Sequence, residues 1–162
     1  LQRMTSQPRI KHCDVLRSLE LHLRAAEREI KIDVVDLITQ LLAYEEWCLA
    51  ILDNASLIEY LVMDIAKPSH GQIENATQLS GFAQNRALML VRDTFFTNLL
   101  RCSCAHGLAR GGDGLPSHGA SQTMTQALSH SLTEDNHEIC PLDGLRLTIL
   151  AVRFCPQFVQ AL

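Results

Sequence analysis

At 162 residues the chain is long enough to bury a sizeable core as one domain, and 47% hydrophobic with 20% charged residues puts it among globular chains. A formal charge of −4 and a pI near 5.9 exclude nucleic-acid binding driven by a concentrated basic surface. No apolar run approaches the roughly 20 residues of a membrane span.

The opening LQRMTSQPRIKH is polar and has no apolar core of a secretory signal. A first helix is expected from about Ile10 to Glu29, with Leu16, Leu19, Leu23, Ala26 and Ile30 lining one face. Arg17, Glu20, Arg24, Glu27 and Arg28 fill its polar face, where Glu20 and Arg24 form an i,i+4 pair.

The second helix should begin near Asp33, a good N-cap residue. Val34, Val35, Leu37, Ile38, Leu41 and Leu42 cover more than one of its sides, the pattern of a helix sandwiched between neighbours. It either runs on through Tyr44 and Trp47 to Leu52 or breaks near Glu45. Asn54 is expected in the left-handed position that closes a helix. Ser56-Leu57-Ile58-Glu59 then reads as a capping box, opening a helix that buries Ile58, Leu61, Val62 and Ile65 until Pro68 stops it.

Ser69-His70-Gly71-Gln72 is a second box, opening a helix with Ile73, Ala76, Leu79 and Ala83. Leu88, Val91, Phe95 and Leu99 mark another helical stripe. The span 106–122 holds five glycines and a proline and reads as a loop. Met124 to Leu132 suggests a short helix, and Asp143-Gly144 opens a last one with Leu147, Leu150, Phe154 and Phe158, kinked at Pro156.

A shift of 38 residues brings Thr39-Gln40-Leu41 onto Thr77-Gln78-Leu79 and aligns many apolar positions, among them Val35 with Ile73 and Leu61 with Leu99. Periods of this length mark stacked helical units. The expected organisation is helical repeats over 1–105, a Gly-rich loop over 106–122 and a C-terminal helical unit over 123–162. A first residue other than Met and a helical pattern still running at Leu162 suggest a part of a longer protein.

Four of these stretches resemble armadillo and HEAT repeats. ITQLLAYEEW is similar to the long helix of an armadillo unit, and NASLIEYLVMDIAK to its two shorter ones; IENATQLSGFAQN and GLRLTILAVRFCPQF resemble later long helices. The resemblance implies an all-α, right-handed solenoid acting as an interaction scaffold, its partner another protein contributing a helix or an extended segment. Two departures limit what carries over. Ala55-Ser56 stands where the family usually has Gly, and the asparagine ladder that grips extended peptides in some members is absent.

Chemistry is sparse. Trp47 and Tyr60 are the candidate partner anchors, because aromatics dominate binding hot spots, although aromatics are more often core residues. Cys102, Cys104 and His106 are the best metal candidates, with Cys140 or His137 as a distant fourth ligand, but C-x-C-x-H lacks the C-x2-C zinc spacing. Cys13, Cys48, Cys102, Cys104, Cys140 and Cys155 are scattered like reduced, packed thiols, which fits a cytoplasmic or nuclear setting. His106, His118, His130 and His137 have no spacing to a cysteine that would build a nucleophile–base pair. No cofactor and no enzymatic activity are expected. The competing readings are a compact helical bundle used for dimerisation or docking in a larger assembly, and a small zinc-binding helical domain.

Overall fold

The computed structural model describes residues 11–65, 78–106, 124, 126–129, 132 and 140–154, and every regular element among them is helical. No described helix is long and apolar enough to cross a membrane. Pro68, the Ser69–Gln72 box, the glycine-rich span beyond His106, His118, His130, His137 and the kink at Pro156 lie outside the described residues.

Helix α1 spans His12–Ala25 and α2 spans Arg28–Leu41, so the single helix expected to run to Glu29 is cut at Ala26 and Glu27. Both residues are extended, with ψ of 157° and 161°. No glycine or proline marks this break. It lets α1 pack on both α2 and α3, so that Leu16 and Leu23 share one core with Val35 and Ile38.

Helix α2 closes through three tight bonds, in which the amides of Leu42, Ala43 and Tyr44 donate to the carbonyls of Thr39, Gln40 and Leu41. Such i→i+3 bonds satisfy carbonyls that a helix end would otherwise orphan. Tyr44 is extended, and α3 follows over Glu45–Leu52 with Glu45 and Glu46 in its first turn, where the helix dipole favours acids. Of the two outcomes expected for this stretch, the break near Glu45 is the one that occurs.

Asn54 does not close α3 in a left-handed conformation; its φ is −88°. Its side-chain oxygen instead accepts from the Leu57 amide at 3.1 Å, making Asn54 the N-cap of α4, Ala55–Glu59. Ser56, expected as that cap, is left free for a tertiary contact. Helix α4 runs into a π-helical turn over Tyr60–Asp64, closed by the Ile65 amide on the Tyr60 carbonyl at 2.9 Å. Ile58, Leu61, Val62 and Ile65 are buried as expected, and Leu57, Tyr60 and Met63 join them. A segment apolar on all sides belongs inside the core.

Helix α5, Gln78–Ala105, is continuous where two separate patterns were expected. The 38-residue shift carries the turn at Asp53-Asn54 onto Val91-Arg92, which lies inside this unbroken helix. Leu88, Arg92, Phe95, Phe96, Leu99 and Leu100 are its buried face. It packs most extensively on α2, then on α6, Cys140–Phe154, the last helix among the described residues, and also on α3. Helix α6 additionally reaches the π-helical turn. Met124, Ala127 and Leu128, in the short helix expected near 124–132, are buried in the same core as Leu147 and Ala151 of α6.

Candidate interaction surface

Helix α2 carries two apolar stripes set about 110° apart at 100° per residue. Val35, Ile38 and Leu42 form the inner one and are buried. Ile30, Val34, Leu37 and Leu41 form the outer one; Val34 and Leu41 are half-buried, whereas Ile30 and Leu37 are 51% and 45% exposed, and Tyr44, in the extended link after the helix, is also exposed. The helix expected to be covered on two sides thus has one side in the core and the other open. Exposed Glu29, Asp33 and Asp36 border the open stripe along one edge. Asp36 accepts from Gln40 at 2.8 Å, while the ammonium of Lys31 turns away to the Tyr60 hydroxyl at 2.9 Å.

Helix α6 repeats the arrangement with the opposite sign. Leu147 and Ala151 face the core, with Leu150 and Phe154 packed beside them. Leu145, Ile149 and Val152, spaced i, i+4, i+7, are 44–57% exposed on the far side. Arg146 and Arg153 share one flank of this stripe. The Arg146 guanidinium forms an ion pair with Asp93 at 2.7 Å, and the Arg153 guanidinium lies 5.5 Å from the Phe154 ring centre. Sequence reasoning followed the period through Leu147 and missed this second one; the signal was the surplus of apolar residues in GLRLTILAV.

The two candidate anchors fall in different places. Tyr60 is only 6% exposed, with the Arg24 guanidinium over its ring at 4.5 Å and its hydroxyl 3.4 Å from the Leu23 carbonyl it donates to. Trp47 is half-buried against the core, and His12 meets it edge-on at 4.4 Å. Tyr60 organises a polar network instead. Glu20 accepts from Arg24 through two nitrogens at 2.9 and 3.0 Å and from the Ser56 hydroxyl, so α1 is tied to α4. The same network borders an open cavity of about 550 Å³ between α1 and the α3–α4 turn, lined also by Arg17, Leu21 and Asp53.

Cys102, Cys104 and His106 diverge. On one continuous helix an i,i+2 pair points about 200° apart. Cys102 donates to the Leu42 carbonyl at 3.4 Å and Cys104 to the Phe154 carbonyl at 3.6 Å, while His106 Nδ1 lies 3.6 Å from Glu45. Three neighbours from three different elements occupy the three groups. Among the described residues no cluster of His, Cys, Asp and Glu is arranged to hold a metal ion. Burial pushes the Cys102 thiol up, and it pushes the Cys48 thiol up to about 11, partly offset by a hydrogen bond with Ser103. Thiols held protonated are poor nucleophiles.

A last polar group was not anticipated. Arg92 is fully buried on α5, 3.4 Å from Asp93, whose other oxygen faces the Arg146 guanidinium of α6 in an ion pair. The charges in the apolar run LMLVRDTFF were its signal in the sequence. No protein-family model matches the chain, and no curated protein or solved structure matches it either.

Proposed function

We propose that the chain is a non-enzymatic helical-repeat module that binds a helix or extended segment of another protein, in a cytoplasmic or nuclear setting. The observation that carries this reading is the outer stripe of α2, where Ile30 and Leu37 stay exposed beside a helix face already committed to the core. Contiguous exposed apolar residues with a polar rim are what an interaction site offers. The packing order supports stacking: α2 lies on α5 and α5 on α6, so the longer helices follow one another as they do in a solenoid, with α3 and α4 beside them. Trp47, half-buried against the core, remains a candidate anchor for such a partner.

Substitution tests the reading. Immobilised wild-type chain should retain a binding protein that Leu37→Asp does not, while both give the same circular dichroism spectrum. Equal retention by the two would end it.

The contact between α6 and the π-helical turn favours a second reading, a compact bundle used as a docking module, because it closes the helices around α5. Small-angle scattering separates the two. A compact 162-residue chain has a radius of gyration of about 15 Å, and a distinctly larger value with an elongated profile supports the stack.

A further inference from the structure

Two outward stripes on one chain match in spacing and oppose in charge, and from this we infer that the protein assembles head to tail, the α6 stripe of one copy packing on the α2 stripe of the next. The inference rests on the interaction reading above and names the occupant of that surface as a second copy. Ile30, Val34, Leu37 and Leu41 recur at i, i+4, i+7 and i+11, and Leu145, Ile149 and Val152 at i, i+4 and i+7, so each presents a ridge to the groove of the other. At 1.5 Å per residue the α2 ridge is about 16 Å long and the α6 ridge about 10 Å, so the shorter seats within the longer.

Charge decides which pairing forms. The α2 ridge is edged by Glu29, Asp33 and Asp36, the α6 ridge by Arg146 and Arg153. Two α2 ridges laid antiparallel bring acids against acids, and two α6 ridges bring guanidiniums together. Only the unlike pairing puts each edge beside its opposite, and like-charge juxtaposition is strongly penalised at interfaces. Arg146 keeps its Asp93 contact in this arrangement, because a guanidinium carries five donors and this side chain is 48% exposed. An unlike pair of surfaces is a heterologous interface, which propagates into a ring or a filament. It would also extend the α2–α5–α6 stacking order directly into the next copy.

Complementation by sedimentation velocity tests this with the full chain. The wild type should form concentration-dependent oligomers larger than dimers. Leu37→Asp and Ile149→Asp should each be monomeric alone, and their equimolar mixture should form a 1:1 dimer and nothing larger, since one intact surface remains on each. Asp33→Lys and Arg153→Glu are milder partners that leave the apolar ridges whole; each should weaken association about tenfold, and mixing the two should restore part of it. A monomeric wild type, a mixture of the two aspartate variants that stays monomeric, or charge variants that behave as the wild type would each overturn the inference. Should the wild type stay monomeric while a binding protein is still retained and lost in Leu37→Asp, self-assembly falls and the interaction reading stands. Capture of a basic amphipathic helix from another protein in place of self-association has the same consequence.

Discussion

The Glu20 carboxylate shows how far a residue's role depends on what the fold brings to it. Along the helix it is one half of an i,i+4 pair with Arg24, which on an exposed face stabilises by roughly 0.2–0.5 kcal/mol. In the fold it is 8% exposed and receives the Ser56 hydroxyl from 36 residues away, so its loss breaks the tie between α1 and α4, although Arg24 and Ser56 themselves reach solvent. We expect Glu20→Ala to cost about 1 kcal/mol by chemical denaturation through its broken hydrogen bonds, and Asn54→Ala about 1 kcal/mol through the lost N-cap. Cys48 adds a pH dependence. Its thiol is pushed up to about 11 by burial, whereas an exposed thiol sits near 9.0. The unfolded chain therefore gives up its proton first. Stability should be unaffected by this group below about pH 9, fall between about 9 and 11, and level off above that. Denaturation curves across that window should show Cys48→Ala losing less stability than the wild type, and the Cys48 peptide should resist alkylation until the chain unfolds.

At the scale of elements, the helices themselves were legible and their ends were not. Leu16, Leu23, Ile58, Leu61 and Leu99 fall on the expected faces because a 3.6-residue period is a property of the local chain. The break at Ala26-Glu27 carries no local signal, since it exists to let α1 and α2 share a core. Equally, Gln78–Ala105 stays whole because no proline lies within it and its buried face continues from Leu88 to Ser103. The joint between α5 and α6 is the polar one, Asp93 between fully buried Arg92 and Arg146. Removing one member of a buried ionic group is far costlier than an exposed pair suggests. Asp93→Ala should therefore destabilise by about 3 kcal/mol, and Arg146→Ala by less, because Arg146 is half-exposed; thermal melts of the two variants check the order.

Across the whole molecule, the surfaces proposed for binding should be separable from stability. Leu37→Asp and Ile149→Asp alter side chains that are 45% and 57% exposed, so each should change unfolding free energy by no more than about 0.5 kcal/mol while acting on association. Core variants should behave in the opposite way; Phe95→Ala, fully buried on α5, should cost about 3–5 kcal/mol. What the amino-acid sequence determined by itself was the helical class, the apolar periodicity and the surplus of apolar positions on α2, all of which depend on residues within a few turns of one another. The tertiary structure alone decided which of two apolar stripes on α2 and α6 entered the core, that Tyr60 and Ser56 joined a polar network, and that Cys102 and Cys104 turned to different helices. Those outcomes depend on which elements meet across 30 to 60 residues of chain, and a helical period is the same whether its face is covered or left open.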